Sequence, residues 1–272
     1  MTSAPRRAVS GRRRLAIASF RASRDGRIYT RLTIDATPVL DYLERARART
    51  GVQVTLTHVV AAALARAIHD VPEVRARVVL GRPLPLANCA ISFTVDVDGG
   101  ADLAPVRVDH ADRKTPAEIA AIVRPAVDRV RSGADQAHDR GATWVRRLPW
   151  WGLRAGLAVA GFVFSGLGRP AFGQSAFPLG AALVSNVGPL GLDEAFLAPL
   201  PMARVPLYLA VGAVRDAAMV VDGELAVRPQ VVLVATGDHR LIDGAHAGQV
   251  VVILRDLLAH PDRLDLPWGP RS

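Results

Sequence analysis

From Ile28 to Ile34 apolar and polar residues alternate (Ile-Tyr-Thr-Arg-Leu-Thr-Ile), which predicts a half-buried strand. Asp35-Ala36-Thr37-Pro38 then reads as a helix start, with Asp35 or Thr37 as cap and Pro38 in the first turn. Leu40 and Leu43 continue at helical spacing, and Gly51 stops the run. Thr57 is placed to cap a second helix, whose face would be Val60, Ala63, Leu64, Ala67 and Ile68. His58 and His69 fall at its ends as solvated or capping residues. A short strand at Val78-Val79-Leu80 and a turn at Gly81-Arg82-Pro83 follow. Cys89 to Val97 and Leu103 to Val108 read as strands around an Asp98-Gly99-Gly100 turn. Thr115-Pro116-Ala117-Glu118 has the form of a cap, a first-position proline and an acidic first turn. The helix it starts would reach about Val130, with an interruption at Pro125. Leu15 to Phe20 starts a strand or short helix.

In the second half, Ala181 to Gly188 and Val205 to Gly212 read as short apolar strands. Met219 to Val227 is a hairpin around Asp222-Gly223. A last strand, Gln230 to Thr236, runs into Gly237-Asp238-His239-Arg240-Leu241-Ile242-Asp243-Gly244. An amphipathic helix follows, with Val250, Ile253, Leu254, Leu257 and Leu258 on one face. The whole pattern is α+β: helices laid on one large mixed sheet. The octapeptide has two readings. It is an ordinary strand-to-helix turn built from turn-favouring residues, or it presents His239 as a base, Asp243 as a loop-orienting group and Gly244 as a tight-turn residue.

Composition narrows the classes. The chain has 272 residues, half of them hydrophobic, enough for a substantial core. Cys89 is the only cysteine, which excludes an internal disulfide framework, and its apolar surroundings make it a core residue rather than a nucleophile. No sequence spacing suggests a metal site, so none is expected. The formal charge of +9 comes almost wholly from arginine; Lys114 is the only lysine. Such uniformity points to a genomic bias rather than a selected patch, and aromatics do not interleave with Arg6-Arg7 or Arg12-Arg13-Arg14, so no nucleic-acid partner is expected. The N-terminus lacks the apolar core of a secretion signal, which implies a cytoplasmic protein.

One region stands apart. Residues 132–178 open polar and become apolar from Leu148. Trp144, Trp150 and Trp151 lie beside Arg146, Arg147 and Arg154, a composition suited to an interfacial helix. Arg154 and several glycines count against a membrane span through this run. Two further readings stay open: packing on its own domain or on a neighbouring subunit, and peripheral membrane contact through residues 144–168.

Several segments together resemble the catalytic domain of 2-oxo acid dehydrogenase dihydrolipoamide acyltransferases, the E2 components, which share a fold with chloramphenicol acetyltransferase. Asp238-His239-Arg240-Leu241-Ile242-Asp243-Gly244 fits the family's D-H-R-x-x-D-G, and Val184 to Gly191 resembles its T-x-[ST]-N-x-G-x-x-G segment. Val221-Asp222-Gly223-Glu224 falls where the family has a hairpin before its last strand. Thr57 to Ala67, Ile91 to Val106 and Leu257 to Leu264 match further family segments. Four features depart from the pattern, the largest being that no lipoyl domain, partner-binding domain or Pro/Ala-rich linker precedes the catalytic region, as expected of a standalone member. H-P-x-[LI]-N becomes Val71-Pro72-Glu73-Val74-Arg75, Ala101-Asp102-Leu103 replaces G-L, and the apolar insertion is longer than the family's loop.

The resemblance implies a chloramphenicol acetyltransferase-like two-layer sandwich. A flexible basic N-terminus (residues 1–13) would precede a single catalytic domain, 14–272, with an insertion at about 132–178. It implies a homotrimer whose active sites lie between subunits. His239 would be the general base, Ser185 the oxyanion donor and Asp243 a loop-holding residue, supported by Arg240, Asn186 and Gly244. Arg240 is the structural partner expected for Asp243. Coenzyme A is the implied substrate. With no lipoyl attachment site in this chain, the acyl acceptor would be free coenzyme A or a lipoyl or carrier arm on another protein. The alternatives are a non-catalytic trimeric scaffold and a membrane-surface adaptor that keeps the fold. A carrier-protein condensation enzyme is a relative, but that class typically has a second histidine where this chain has Asp238.

Overall fold

The computed structural model describes residues 26–96, 103–131, 149–170 and 179–268. The expectations for Leu15 to Phe20, for the basic N-terminus and for the Asp98-Gly99-Gly100 turn lie outside these residues. The strands are β1 (Arg27–Asp35), β2 (Ala76–Val79), β3 (Arg82–Pro85), β4 (Ile91–Asp96) and β5 (Leu103–Val108), then β6 (Ala182–Asn186), β7 (Leu207–Val211), β8 (Arg215–Val221) and β9 (Glu224–Asp238). The helices are α1 (Thr37–Thr50), α2 (Leu56–Asp70), α3 (Pro116–Arg131), α4 (Trp150–Gly161) and α5 (Gly244–Ala259). Contacts divide the chain into two compact units. The larger comprises residues 26–131, 179–199 and 205–272.

That unit is built on a seven-stranded sheet in the order β1-β9-β7-β6-β4-β5, with β8 paired to β9. β4-β6 and β6-β7 are parallel and the other pairs antiparallel, so the sheet is mixed and the unit α+β, as the pattern predicts. β9 is a continuous strand of 15 residues, not a hairpin arm followed by a separate final strand. Pro229 does not break it. Its register partner is Asp216 on β8, while pairing with β1 begins one residue later at Gln230, and the Pro229 carbonyl accepts from Ala36 N–H instead. Ile28, Leu32, Leu209 and Leu233 line one sheet face and enclose a small apolar cavity with Leu64 of α2 and Val250 and Leu254 of α5. On the opposite face Ala195 and Leu197, from the segment after β6, pack on Ala210, Val232 and Val234.

The helix starts follow local chemistry, with corrections. α1 has Ala36 as its N-cap rather than Asp35 or Thr37, with Pro38 in its first turn; Asp35 Oδ1 accepts from Thr37 N–H at 2.9 Å, and Gly51 closes the helix at φ 68°. α2 is capped by Thr55, not Thr57: Thr55 and His58 form a reciprocal capping box, with His58 Nδ1 accepting from Thr55 N–H at 3.1 Å. Burial pushes the His58 pKa down to about 4, and the bond to Thr55 requires the neutral ring. α2 is also buried all round from Val59 to Ile68, not along one face, so it is the unit's central helix. Arg66 within it is 1% exposed and donates to the carbonyls of Arg263, Leu264 and Leu266, which ties the C-terminal segment to the core. The strand expected at Val78 to Leu80 is shifted to Ala76–Val79, and Arg82 and Pro83 belong to its partner strand rather than to the turn. α3 runs through Pro125 without interruption.

In the smaller unit, residues 1–25, 132–178 and 200–204, α4 continues into a π-helical turn, Phe162–Gly166. A Cβ on Gly161 would lie 2.8 Å from Met202 Cβ, so this glycine is where the helix meets residues 200–204. Among the described residues no helix is long and apolar enough to cross a membrane.

Glycine substitutions should separate packing from propensity. At Gly212 a Cβ would lie 1.8 Å from the Asp193 carbonyl oxygen, so Gly212→Ala should destabilise by more than about 1 kcal/mol. Gly248, inside α5, has open space, so Gly248→Ala should stabilise by about 0.5–1 kcal/mol. Urea unfolding midpoints of both variants check the pair.

Candidate active site

The turn that carries His239 is fixed mainly by backbone bonds. Asp238 N–H donates to Pro206 O and His239 N–H to Gly26 O, while the Asp238 carbonyl accepts from both Leu241 and Ile242. These bonds anchor a single turn at the end of β9 and lift His239 to the surface. The His239 Nδ1 lies 2.8 Å from the Ile242 carbonyl oxygen. A carbonyl only accepts, so Nδ1 must carry the hydrogen. In the neutral ring Nε2 then keeps its lone pair, the state a general base needs.

The surrounding residues differ in part from the sequence expectation. Asp243 is the N-cap of α5: its Oδ1 accepts from Ala245 N–H at 2.9 Å and from His246 N–H at 3.0 Å, and His246 completes a capping box. The bond from the His246 backbone is the main reason its pKa falls below the usual carboxylate range. Asp243 therefore sets where the helix begins and holds the far end of the His239 loop. Arg240 does not pair with Asp243. It forms a two-pronged bond to Asp238, Nε to Oδ1 at 2.9 Å and Nη2 to Oδ2 at 2.5 Å, and this bond pushes its pKa up. The pairing follows from the turn: Asp238 and Arg240 flank His239 on the same short loop, and Asp243 is committed to the helix start. Gly244 is the first residue of α5, its φ is not in the left-handed region, and a Cβ there would meet nothing within 4 Å, so the turn does not require glycine.

Ser185 and Asn186 end β6. Asn186 Oδ1 accepts from Gly188 N–H at 3.0 Å and so holds the turn after the strand. Ser185 is half-buried and paired in register with Ala210 of β7, which is paired with Val234 of β9. His239 lies five residues beyond Val234. Along the strand that is about 17 Å, and two strand spacings add about 10 Å across, so the two residues are about 20 Å apart within one chain. The sheet therefore does not bring Ser185 and His239 of one chain together.

Sequence periodicity missed two features of the larger unit. One is Arg66, buried in a run that reads as apolar. The other is the convergence of His69, Cys89 and Asp112, whose potential ligand atoms all lie within 4.8 Å of one another. Their separations of 20 and 23 residues fit no metal motif, so only the fold could reveal them.

The model of the 2-oxoacid dehydrogenases acyltransferase (catalytic domain) family matches residues 4–143 and 175–266, and the chain belongs to that family. The stretch between the matched segments includes α4. Among curated proteins, the succinyltransferase component of the 2-oxoglutarate dehydrogenase complex from Bartonella vinsonii subsp. berkhoffii is 35% identical over 89 residues, 32% of this chain and 21% of its own length. The acetyltransferase component of the pyruvate dehydrogenase complex from Mycoplasma capricolum is 38% identical over 78 residues, 29% of this chain and 17% of its own. These matches span about a fifth of the relatives' length. Among solved structures, a probable dihydrolipoamide acetyltransferase from Listeria monocytogenes superposes with a TM-score of 0.68 at 17% identity, covering 96% of this chain and 95% of that one. The dihydrolipoamide acetyltransferase of Azotobacter vinelandii, studied for the role of a serine, a histidine and an asparagine in its mechanism, gives 0.64 at 18% identity, covering 88% and 84%. Chloramphenicol acetyltransferase gives 0.51 at 14% identity, covering 91% and 94%. These structures share the fold.

The cap at Asp243 has a testable signature. Asp243→Ala should lower the thermal midpoint, and Asp243→Asn, which can still accept, should restore most of it. The Asp243 pKa is lower in the folded chain than in the unfolded one, so its contribution is full above the ordinary carboxylate range. It is lost as pH falls through the folded value. The gap between wild type and Asp243→Ala should therefore shrink in acid, as thermal melts across pH would show.

Proposed function

We propose that the chain transfers an acyl group between a thioester and a thiol, with coenzyme A as one partner and a lipoyl or similar arm on another protein as the other. The observation that carries this reading is the bond from His239 Nδ1 to the Ile242 carbonyl, which leaves Nε2 as proton acceptor. Nε2 takes the proton of the incoming thiol, and the thiolate sulfur attacks the thioester carbonyl. Ser185 donates its hydroxyl hydrogen to the oxyanion of the tetrahedral intermediate. The intermediate collapses, the carbon–sulfur bond to the departing thiolate breaks, and that thiolate recovers the proton from the His239 imidazolium.

Ser185 and His239 are about 20 Å apart in one chain, so the reading requires them to come from different copies. A homotrimer supplies such copies in a closed ring. The β8-β9 hairpin supports association, because Val220, Leu225 and Val227 are 72%, 78% and 74% exposed. Asp243, Arg240 and Asn186 position the two halves and take no part in proton transfer. The bond from His239 Nδ1 to the Ile242 carbonyl supports this reading over a catalytically silent scaffold.

The test is turnover of acetyl- or propionyl-coenzyme A with a dithiol acceptor. His239→Ala should lower the rate by ~10²–10⁴-fold. Ser185→Ala should lower it by ~10²–10³-fold. Full activity in His239→Ala would refute the base.

A second reading concerns α4 and can hold together with the first. Trp150 and Trp151 are 60% and 65% exposed and Val159 is 64% exposed. Residues 140–170 carry arginines and no acidic residue. Twelve helical residues span about 18 Å, short of the ~30 Å hydrocarbon core, so this helix would lie in the interface of an anionic membrane rather than cross it. Wild type should float with anionic vesicles and much less with zwitterionic ones, and replacing Trp150 and Trp151 with serine should abolish flotation. No flotation of wild type contradicts the reading.

A further inference from the structure

His69, Cys89 and Asp112 come from three segments of the larger unit: the last turn of α2, the lead-in to β4, and the turn Ala111–Arg113 after β5. Backbone and side-chain bonds lock the second and third together. Ala111 N–H donates to Cys89 O at 3.1 Å and His110 N–H to Asn88 Oδ1 at 2.8 Å. The cluster is therefore held by rigid elements rather than by side chains alone. Ile91, Ala182, Leu207 and Gly237 form one row across the sheet, so the cluster lies at the same end as His239, three strand spacings or about 14 Å to the side.

The chemistry of these groups is not that of ordinary core filling. The Cys89 sulfur is buried and accepts a hydrogen bond from Arg75 Nη1 at 3.1 Å. One oxygen of Asp112, Oδ2, lies 3.0 Å from His69 Nδ1. The other, Oδ1, is buried without a hydrogen-bond partner, on a side chain only 5% exposed. An orphaned oxygen on a buried carboxylate is costly unless something binds it. His69 is 32% exposed, so the cluster is reachable from solvent past that ring.

We propose that His69, Cys89 and Asp112 form a binding site for one divalent metal ion of the zinc class. One imidazole nitrogen, the Cys89 thiolate and the Asp112 carboxylate supply three ligands, and water reaching past His69 completes a tetrahedron. Metal–ligand bonds of 2.0–2.3 Å place tetrahedral ligand atoms about 3.3–3.7 Å apart, so a cluster within 4.8 Å closes by a side-chain movement of about 1 Å. Thiolate and carboxylate together offer the ion two negative charges, beside the guanidinium of Arg75 on the sulfur and that of Arg113 3.9 Å from Asp112 Oδ2. The N–H of Arg75 stays on the sulfur as a hydrogen bond outside the ligand shell. A soft sulfur, an imidazole and a carboxylate favour zinc over magnesium or calcium. The ligand is the thiolate, so metal binding releases the thiol proton to solvent. The ion would join the end of the central helix to the sheet.

Cys89 is the only cysteine, which makes the test specific. Tag-free, reduced, metal-free full chain is titrated with cobalt(II). One equivalent should bind with a sulfur-to-cobalt charge-transfer band and a tetrahedral visible spectrum, and zinc should displace it. Cys89→Ala should remove the charge-transfer band. Asp112→Asn, nearly the same shape, should weaken cobalt binding at least tenfold while far-UV circular dichroism stays unchanged, which keeps the test open if Cys89→Ala fails to fold. A folded wild type without the band, a band that survives Cys89→Ala, or unchanged affinity in Asp112→Asn overturns the site.

Discussion

The pairing register of β9 is the constraint on which the rest of the larger unit depends. The second half of its 15 residues is bonded to β1 and β7 on either side, and its first half pairs with β8. A slip of one residue would turn Val231 to Val234 inside out and move every side chain of the strand to the wrong face. The same register decides where His239 leaves the sheet, because Gly237 is level with Ile28 on one side and Leu207 on the other. Gly237 suits that spot: a Cβ there would lie 3.0 Å from Ile28 Cγ2 and 3.2 Å from Ile242 Cδ1. The strand thus fixes His239 at one end and projects an apolar hairpin at the other. Catalysis and association, in the proposed reading, are two ends of a single element.

In the proposed reading, the sheet also explains why a lone chain would be an incomplete enzyme. β6 and β9 run in opposite directions, so Ser185 near the end of β6 and His239 at the end of β9 point to opposite ends of the sheet. No side-chain movement spans about 20 Å. In the proposed reading, the residues around His239 serve position rather than proton transfer. Asp238 and Arg240 clamp the loop from one side, and Asp243 sets the helix start on the other.

Most of the architecture was legible in the sequence because its signals are local. The alternation from Ile28 to Ile34, Pro38 with Gly51, the Thr115–Glu118 cap and the Asp222-Gly223 turn are each decided within a few residues, and each element forms where it was expected. The octapeptide was legible as a strand-to-helix junction, and as a candidate site because it sits in a pattern spread over most of the chain. What was not legible depends on partners distant in sequence. The choice of Asp238 over Asp243 by Arg240 is set by loop geometry. Arg66 hides in a run of alanines and finds its acceptors about 200 residues away. His69, Cys89 and Asp112 meet only once α2 is laid against the start of β4. The helix cap moved from Thr57 to Thr55 because His58 offers the reciprocal bond only to the earlier threonine.

In the proposed reading, a working site needs His239 from one copy and Ser185 from another. The most direct measurement mixes His239→Ala and Ser185→Ala chains by co-expression and assays acyl transfer. In a closed three-membered ring, each mixed trimer regains one intact site of three, so random equal mixing should restore about a quarter of wild-type activity. If both residues served the same site within one chain, the mixture would be no more active than the separate variants, and that result would contradict the account.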